Sequence, residues 1–252
     1  MAMLIKNIYK LYSKTKIASR VAKQSLLLCA FMVCGFATVF AHGFNVDSTK
    51  SPALKDTSYK KFTYFRFGVD LSKIVRSQLA KDYKTYEFQI DANFSKQTSL
   101  AFEFGGGNSQ VDNAFLVYKS SSVFGRLGID KTFFNTEFKG DMDNAFVGIR
   151  LAFSPIQRNN ATFVIKDQFW GDTSGVINST RFNAMWIELN GGFRVELYKN
   201  IFAGWNVRAK TFLNPKRFEL LPPSYLAGYG RGDKNTAFDF NFYILYGIGK
   251  RN

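Results

Sequence analysis

Few side chains in this sequence could carry acid–base or nucleophilic chemistry, and their positions narrow the choice further. His42 is the single histidine and lies ahead of every patterned segment, which excludes a Ser–His–acid triad and a histidine-bound metal from the body of the chain. The two cysteines, Cys29 and Cys34, fall in an apolar run near the N-terminus, so the rest of the chain has no thiol for a disulfide, a metal or a nucleophile. Carboxylates remain. Glu188 and Glu196 share one face of one segment but stand eight residues apart, at about 3.3 Å per residue of strand too far for joint acid–base work. A carboxylate from elsewhere, such as Asp239, could still approach either of them. The expectation is no catalytic residue, no cofactor and no metal, with carboxylate-dependent chemistry on lipid as the least favoured reading.

Three short motifs carry little. Gly105-Gly106-Gly107-Asn108 has no helix after it to hold a phosphate and reads as a turn. Arg231-Gly232-Asp233 spells an adhesion tripeptide within a turn-forming stretch, and Asn160-Ala161-Thr162 and Asn178-Ser179-Thr180 match a glycosylation sequon. All three are common by chance.

The elements that position the charged side chains are strands. In MWIELNGGFRVELYKNIFAGWNVRAKTF, residues 185–212, Met185, Ile187, Leu189, Phe193, Val195 and Leu197 oppose Trp186, Glu188, Asn190, Arg194 and Glu196. Ile201, Ala203, Trp205, Val207 and Ala209 likewise oppose Phe202, Gly204, Asn206, Arg208 and Lys210. Parity predicts a hairpin with a three-residue loop, Tyr198, Lys199 and Asn200, pairing Leu197 with Ile201 and placing Asn200 in the left-handed region. The same alternation recurs from Phe62 to Leu71, Tyr86 to Phe94, Leu100 to Gly105, Val123 to Asp130, Ala145 to Phe153 and Thr236 to Ile248. That makes eight strands. Connections are expected at 72–85, 95–98, 106–122, 131–143, 154–184, 198–200 and 213–235; 161–170 reads as part of a long outer loop, with a ten-stranded alternative that adds a weak strand near 175–182.

One face of all eight segments carries no charge. The other carries Arg66, Asp70, Glu87, Asp91, Glu103, Arg126, Asp130, Arg150, Glu188, Arg194, Glu196, Arg208, Lys210 and Asp239. Alternation alone does not say which face is outside, since a soluble barrel buries its apolar face and a membrane barrel exposes it. Glycines cluster on the charged face (Gly68, Gly128, Gly148, Gly192, Gly204, Gly247), as a crowded interior requires, and the signs of charge nearly balance, as buried charges require. Short and long connections also tend to alternate. The expected fold is therefore an all-β, antiparallel up-and-down transmembrane β-barrel. Its charged face should form an interior salt-bridge network, with Phe65, Phe67, Leu189, Phe193, Trp205, Val207, Phe238, Phe240 and Phe242 facing lipid. Glu188, Arg194, Glu196, Arg208 and Lys210 would form a ladder filling a narrow bore. Tyr198, Trp205 and Tyr246 suit the membrane interface.

The N-terminus reads as a helical signal peptide, 1–41: basic residues to Lys23, an apolar run from Ser25, and small-residue spacing that predicts cleavage between Ala41 and His42. A flexible periplasmic lead-in, 42–61, then precedes a barrel domain, 62–250. The net charge of +15 owes six basic residues to the leader; without them 28 Lys and Arg face 19 Asp and Glu. No nucleic-acid motif accompanies that surplus, and no nucleic acid is expected as partner.

Several stretches resemble a family of small outer-membrane β-barrels of unknown function from Bacteroidota: WIELNGGFRVELYKNIFAGWNVRAK, FRFGVDLS, FGRLGIDKTFF, NAFVGIRLAF and the closing FNFYILYGI. The likeness covers roughly 62–249, and the architecture it implies is similar to the eight-stranded OmpA and OmpX barrels. It implies Gram-negative outer-membrane location and no activity; outer-membrane enzymes of this size class rely on a histidine that this barrel lacks. The resulting expectation is a monomeric, non-enzymatic barrel in contact with outer-membrane lipid. Its long outer loops would meet a protein or a glycolipid, whose phosphates Lys73, Arg76, Lys81, Lys216, Arg217, Arg231 and Lys234 could attract. A narrow channel is the alternative.

Overall fold

The computed structural model describes residues 64–95, 97–133, 142–166, 169, 171–214, 218 and 221–249. The expected leader, its cleavage site at Ala41 and His42, the lead-in 42–61, Lys216 and Arg217 lie outside the described residues.

Eight antiparallel strands close into a ring. They are β1 (Tyr64–Asp70), β2 (Tyr83–Asn93), β3 (Thr98–Asp112), β4 (Leu116–Thr132), β5 (Asn144–Arg158), β8 (Thr180–Tyr198), β9 (Ile201–Phe212) and β10 (Thr236–Gly249). Each pairs with the next, β5 pairs with β8, and β10 returns to β1 with Phe65 opposite Ile248 and Val69 opposite Ile244. Between β5 and β8 a hairpin of β6 (Ala161–Ile165) and β7 (Thr173–Ile177) attaches to the start of β4, where Leu116 faces Phe163. The sheet thus has ten strands and the barrel eight. The expected outer loop at 161–170 is corrected accordingly: its first half is strand, paired over five residues with β7 and over two with the start of β4, where five residues are too few for alternation to identify a strand.

Two further expectations are corrected. Residues 106–122 are not a loop: β3 and β4 run on to a three-residue turn, 113–115, in which the Asn113 side chain accepts the N–H groups of Phe115 and Leu116 at 2.9 and 3.0 Å. Gly105 to Gly107 lie within β3, opposite Ser122 to Phe124 on β4. A glycine–serine stretch has no side-chain contrast from which alternation can be read, yet a Cβ at Gly105 would stand 2.2 Å from the Tyr86 carbonyl oxygen. Glycine is required there by close approach of the next strand. At the β8–β9 turn, Tyr198 and not Leu197 faces Ile201, because a bulge between Glu196 and Tyr198 absorbs the parity conflict. Asn200 is left-handed as expected, with φ 65°.

The connection after β1 is partly helical. Asp70 caps α1 (Leu71–Leu79) by accepting the N–H groups of Ser72 and Lys73 at 2.8 and 3.3 Å. α1 lies toward the end of the barrel that carries the 113–115 turn, β6–β7 and residues 221–235. The turn at 199–200, the end of β2, the start of β1 and the end of β10 lie at the other.

The apolar face points outward. Phe65, Phe67, Leu189, Phe193, Val207, Phe238 and Phe242 are exposed, Leu189 at 59% and Phe238 at 78%. Trp205 and Phe240 are half-buried and pack side by side along that surface, with the Trp205 ring centre 5.1 Å from that of Phe193 and 5.8 Å from that of Phe240. An apolar cluster lies inside the loop-rich end: Phe124, Ala152, Ile156, Ala184, Trp186 and Phe212 pack around Leu226, Ala227 and Tyr229 of the last long connection. The stretch 221–230 thus folds into the mouth of the barrel. The Tyr118 hydroxyl donates to the Pro222 carbonyl at 3.0 Å, Ser109 to the Tyr225 carbonyl at 2.9 Å, and the Ala227 N–H to the Ser122 hydroxyl at 3.0 Å.

Candidate functional site

Alternation along each strand sends every second side chain into the bore, and below the apolar mouth those side chains are ionic. Arg126 on β4 and Arg208 on β9 sit among three carboxylates. Arg126 reaches Glu103 at 2.9 Å, Glu188 at 2.9 Å and also Glu87; Arg208 reaches Glu103 at 2.6 Å, Glu87 at 3.3 Å and Glu188 at 3.5 Å. All five side chains are buried. Neutral donors add to these pairs, with Trp186 Nε1–H donating to Glu188 at 2.6 Å and the Tyr243 hydroxyl to Glu87 at 2.8 Å. Arg208 also donates to Tyr243 and, at 3.2 Å, to the Asn206 side chain.

A second group lies toward the turn end. Arg150 bridges Glu103 at 3.2 Å and Asp130 at 2.7 Å; Arg194 bridges Asp130 at 2.6 Å and Asp91 at 3.3 Å; Arg66 reaches Asp91 at 3.5 Å. The Arg194 guanidinium also lies 3.9 Å from the centre of the Phe146 ring, a cation–π contact in a site shielded from water.

A third group lies under α1. Asp239 receives Lys210 at 2.9 Å, Arg76 at 3.0 Å and Lys73, while Lys210 donates to the Gly228 carbonyl at 2.7 Å. This corrects the expectation for Lys73 and Arg76, which point into the barrel and not at the surroundings. Asp70, whose side chain accepts both from the helix start and from Asn241, orients the helix so that Lys73 and Arg76 share its inner face. Nearby Tyr225 stacks on Tyr83 at 4.0 Å; desolvation in the mouth pushes its phenol up, with the Lys73 ammonium acting the other way.

The expected ladder of Glu188, Arg194, Glu196, Arg208 and Lys210 is therefore rearranged. Lys210 stands opposite Glu188 in register, yet its amine turns to Asp239. Glu196 is half-buried at the end of β8, where the bulge takes it to the turn and it accepts the Asn200 N–H at 2.8 Å. The alternation of β10 already placed Tyr243 beside Asp239, whereas Lys73 and Arg76 needed the Asp70–Leu–Ser–Lys cap to be recognised as a helix start. Arg231 and Asp233 bond each other at 2.6 and 3.0 Å, so the adhesion-like tripeptide is tied to itself.

The cluster carboxylates, on β2, β3 and β8, accept from guanidinium, indole or phenol donors on β4, β8, β9 and β10, so the cluster ties strands together across the bore. Among the described residues no three His, Cys, Asp or Glu side chains group as metal ligands.

No curated protein matches the chain. Among solved structures, the barrel is similar to Ail, the attachment invasion locus protein of Yersinia pestis, with 4% identity and a TM-score of 0.39 over 75% of this chain and 100% of that one. It is also similar to the N-terminal β-barrel domain of Pseudomonas aeruginosa OprF, with 9% identity and a TM-score of 0.34 over 75% and 100%. For Neisserial surface protein A the values are 10%, 0.36, 74% and 96%. The match at the level of family extends over residues 24–249, and the chain belongs to the family described as a domain of unknown function, DUF6048.

Proposed function

We propose that this protein is a non-enzymatic β-barrel of the Gram-negative outer membrane. Its interior is filled by ion-paired side chains, and it has a structural or binding role at the cell envelope through its loop-rich end. The observation that carries the reading is the inversion of a soluble core. Leu189, Val207 and Phe242 are exposed, while Arg126, Arg150, Arg208, Glu103 and Glu188 are buried. Water would penalise the exposed apolar face and acyl chains around a closed ring of strands would not, while the buried charges are offset by pairing with one another. The resemblance of the strand sequences to Bacteroidota outer-membrane barrels supports the same reading. The binding role rests on the loop-rich end, where β6–β7 stands on the barrel and 221–230 packs into its mouth.

Membrane fractionation with a heat-modifiability gel tests placement and closure together. The expected result is recovery in the outer-membrane fraction with a mobility shift on boiling; recovery in buffer without detergent would overturn the reading. Single-channel recording in planar bilayers at molar KCl tests the filled bore, for which no steps above background are expected. A narrow conductance is the second reading, because Arg66, Asn190 and Arg194 each keep a buried polar atom without a protein hydrogen-bond partner toward the turn end.

A further inference from the structure

The wall of the barrel is not sheet all the way round. β1 ends at Asp70, opposite Tyr243 of β10, and its last partner on β2 is Phe88. The upper parts of β10 and β2, residues 236–242 and 83–87, therefore have no strand between them, and α1 packs against both. It is fastened there by side chains. Ser77 accepts the Thr85 N–H at 2.7 Å and donates to the Thr85 carbonyl at 2.9 Å, satisfying the open edge of β2. Ser72 and Arg76 each donate to the Phe240 carbonyl on β10 at 3.4 Å, and Lys73 and Arg76 hold Asp239 on the same strand.

Ser72, Lys73, Arg76 and Ser77 lie on one side of the helix, which is the side turned to the barrel. The other side carries Leu71, Ile74, Val75 and Leu79, all exposed, Val75 at 58% and Leu79 at 67%. A helix covering the core of a soluble protein has the opposite polarity. The apolar side of α1 is also continuous with the outward aromatic face of the two strands it joins, through Tyr86 and Phe88 on β2 and Phe238 and Phe242 on β10.

We propose that α1 is a section of the transmembrane wall in contact with lipid, its Leu71, Ile74, Val75 and Leu79 side chains lying among acyl chains; the proposal rests on the outer-membrane reading above. Continuity with the outward face of the strands identifies the occupant as lipid. The test uses the full chain inserted in outer membranes, with Cys29→Ser and Cys34→Ser and one nitroxide-labelled cysteine at a time. Val75→Cys and Leu79→Cys probe the helix, Leu189→Cys the outward strand face and Lys81→Cys the turn after the helix, each first checked for heat-modifiability. Collision with lipid-soluble oxygen is compared with collision with a water-soluble nickel chelate. The expected oxygen-to-nickel ratios at 75 and 79 match that at 189 and exceed that at 81. Ratios at 75 and 79 equal to that at 81, with 189 still lipid-like, overturn the proposal alone. Protection of 75 and 79 from both reagents overturns it by placing protein on the helix. A water-like ratio at 189 overturns the outer-membrane reading first.

Discussion

Arg208 on β9 and Glu103 on β3 meet across the bore at 2.6 Å, although they stand 105 positions apart in the sequence. The two strands are not neighbours in the ring, so the contact is a tie across the barrel and not part of any hairpin.

Removing one end of that tie should be costly. Arg208→Met leaves Glu87, Glu103 and Glu188 short of a cation in a buried site, at an expected loss of about 3–5 kcal/mol. The measurement is the urea-unfolding midpoint of the detergent-folded protein. Adding Glu103→Gln should cost less in the Arg208→Met background than alone, and strict additivity would show that the pair does not interact.

Two glycines of β4 should divide by the face they occupy, Gly128 turned to the bore beside Arg150 and Gly125 outward between the exposed Val123 and Leu127. A Cβ at Gly128 would lie 2.0 Å from the Ile149 carbonyl oxygen, whereas one at Gly125 meets nothing within 4 Å. Gly128→Ala is expected to destabilise by about 1–3 kcal/mol, as overpacking does, and Gly125→Ala to stay within about 0.5 kcal/mol. Thermal loss of the heat-modifiable band would rank the two.

Asn200 combines a left-handed backbone with a side chain that accepts the Tyr64 hydroxyl at 3.2 Å. Asn200→Ala should cost roughly 1–2 kcal/mol in backbone terms and lose the Tyr64 contact as well. Asn200→Gly should lose the contact alone. If both variants unfold at the same midpoint, backbone handedness is not what selects asparagine there.

Salt should have little effect on the folded barrel. At about 1 M salt the Debye length falls to about 3 Å, which weakens surface pairs, while buried pairs are screened much less. The unfolding midpoint is expected to hold from low to molar KCl. A steep fall would mean that bulk ions reach the Arg126–Arg208 cluster.

How much of this was legible in the sequence depends on what each segment offers to a periodic reading. The faces of β8, β9 and β10 were legible, because a charged side chain in the bore alternates with an aromatic or aliphatic one outside it. The upper parts of β3 and β4 were not, since Gly105 to Gly107 and Ser120 to Ser122 offer no contrast between faces, and their pairing is a property of the two strands together. Partner choice within the bore was hidden for a similar reason: Lys210 bonds Asp239 and not Glu188 because 221–230 folds inward and offers it the Gly228 carbonyl. The helix after β1 was missed because LSKIVRSQL is short and its polar residues face the barrel, the reverse of the familiar pattern.

The ties across the bore also bear on how the ring can form. Arg208 on β9 joins Glu87 on β2 from 121 residues away, across the β10–β1 seam, so that ion pair exists in no hairpin and in no sheet still open at that seam. Until the last strands arrive, these guanidinium and carboxylate groups keep their hydration, and a curled but open intermediate that stripped it would hold unpaired charge in a poor solvent. Contacts of such sequence separation form late and slowly. The lattice therefore acts as a registration check on assembly: a ring closed one strand out of place misaligns its cations and anions, and reopens.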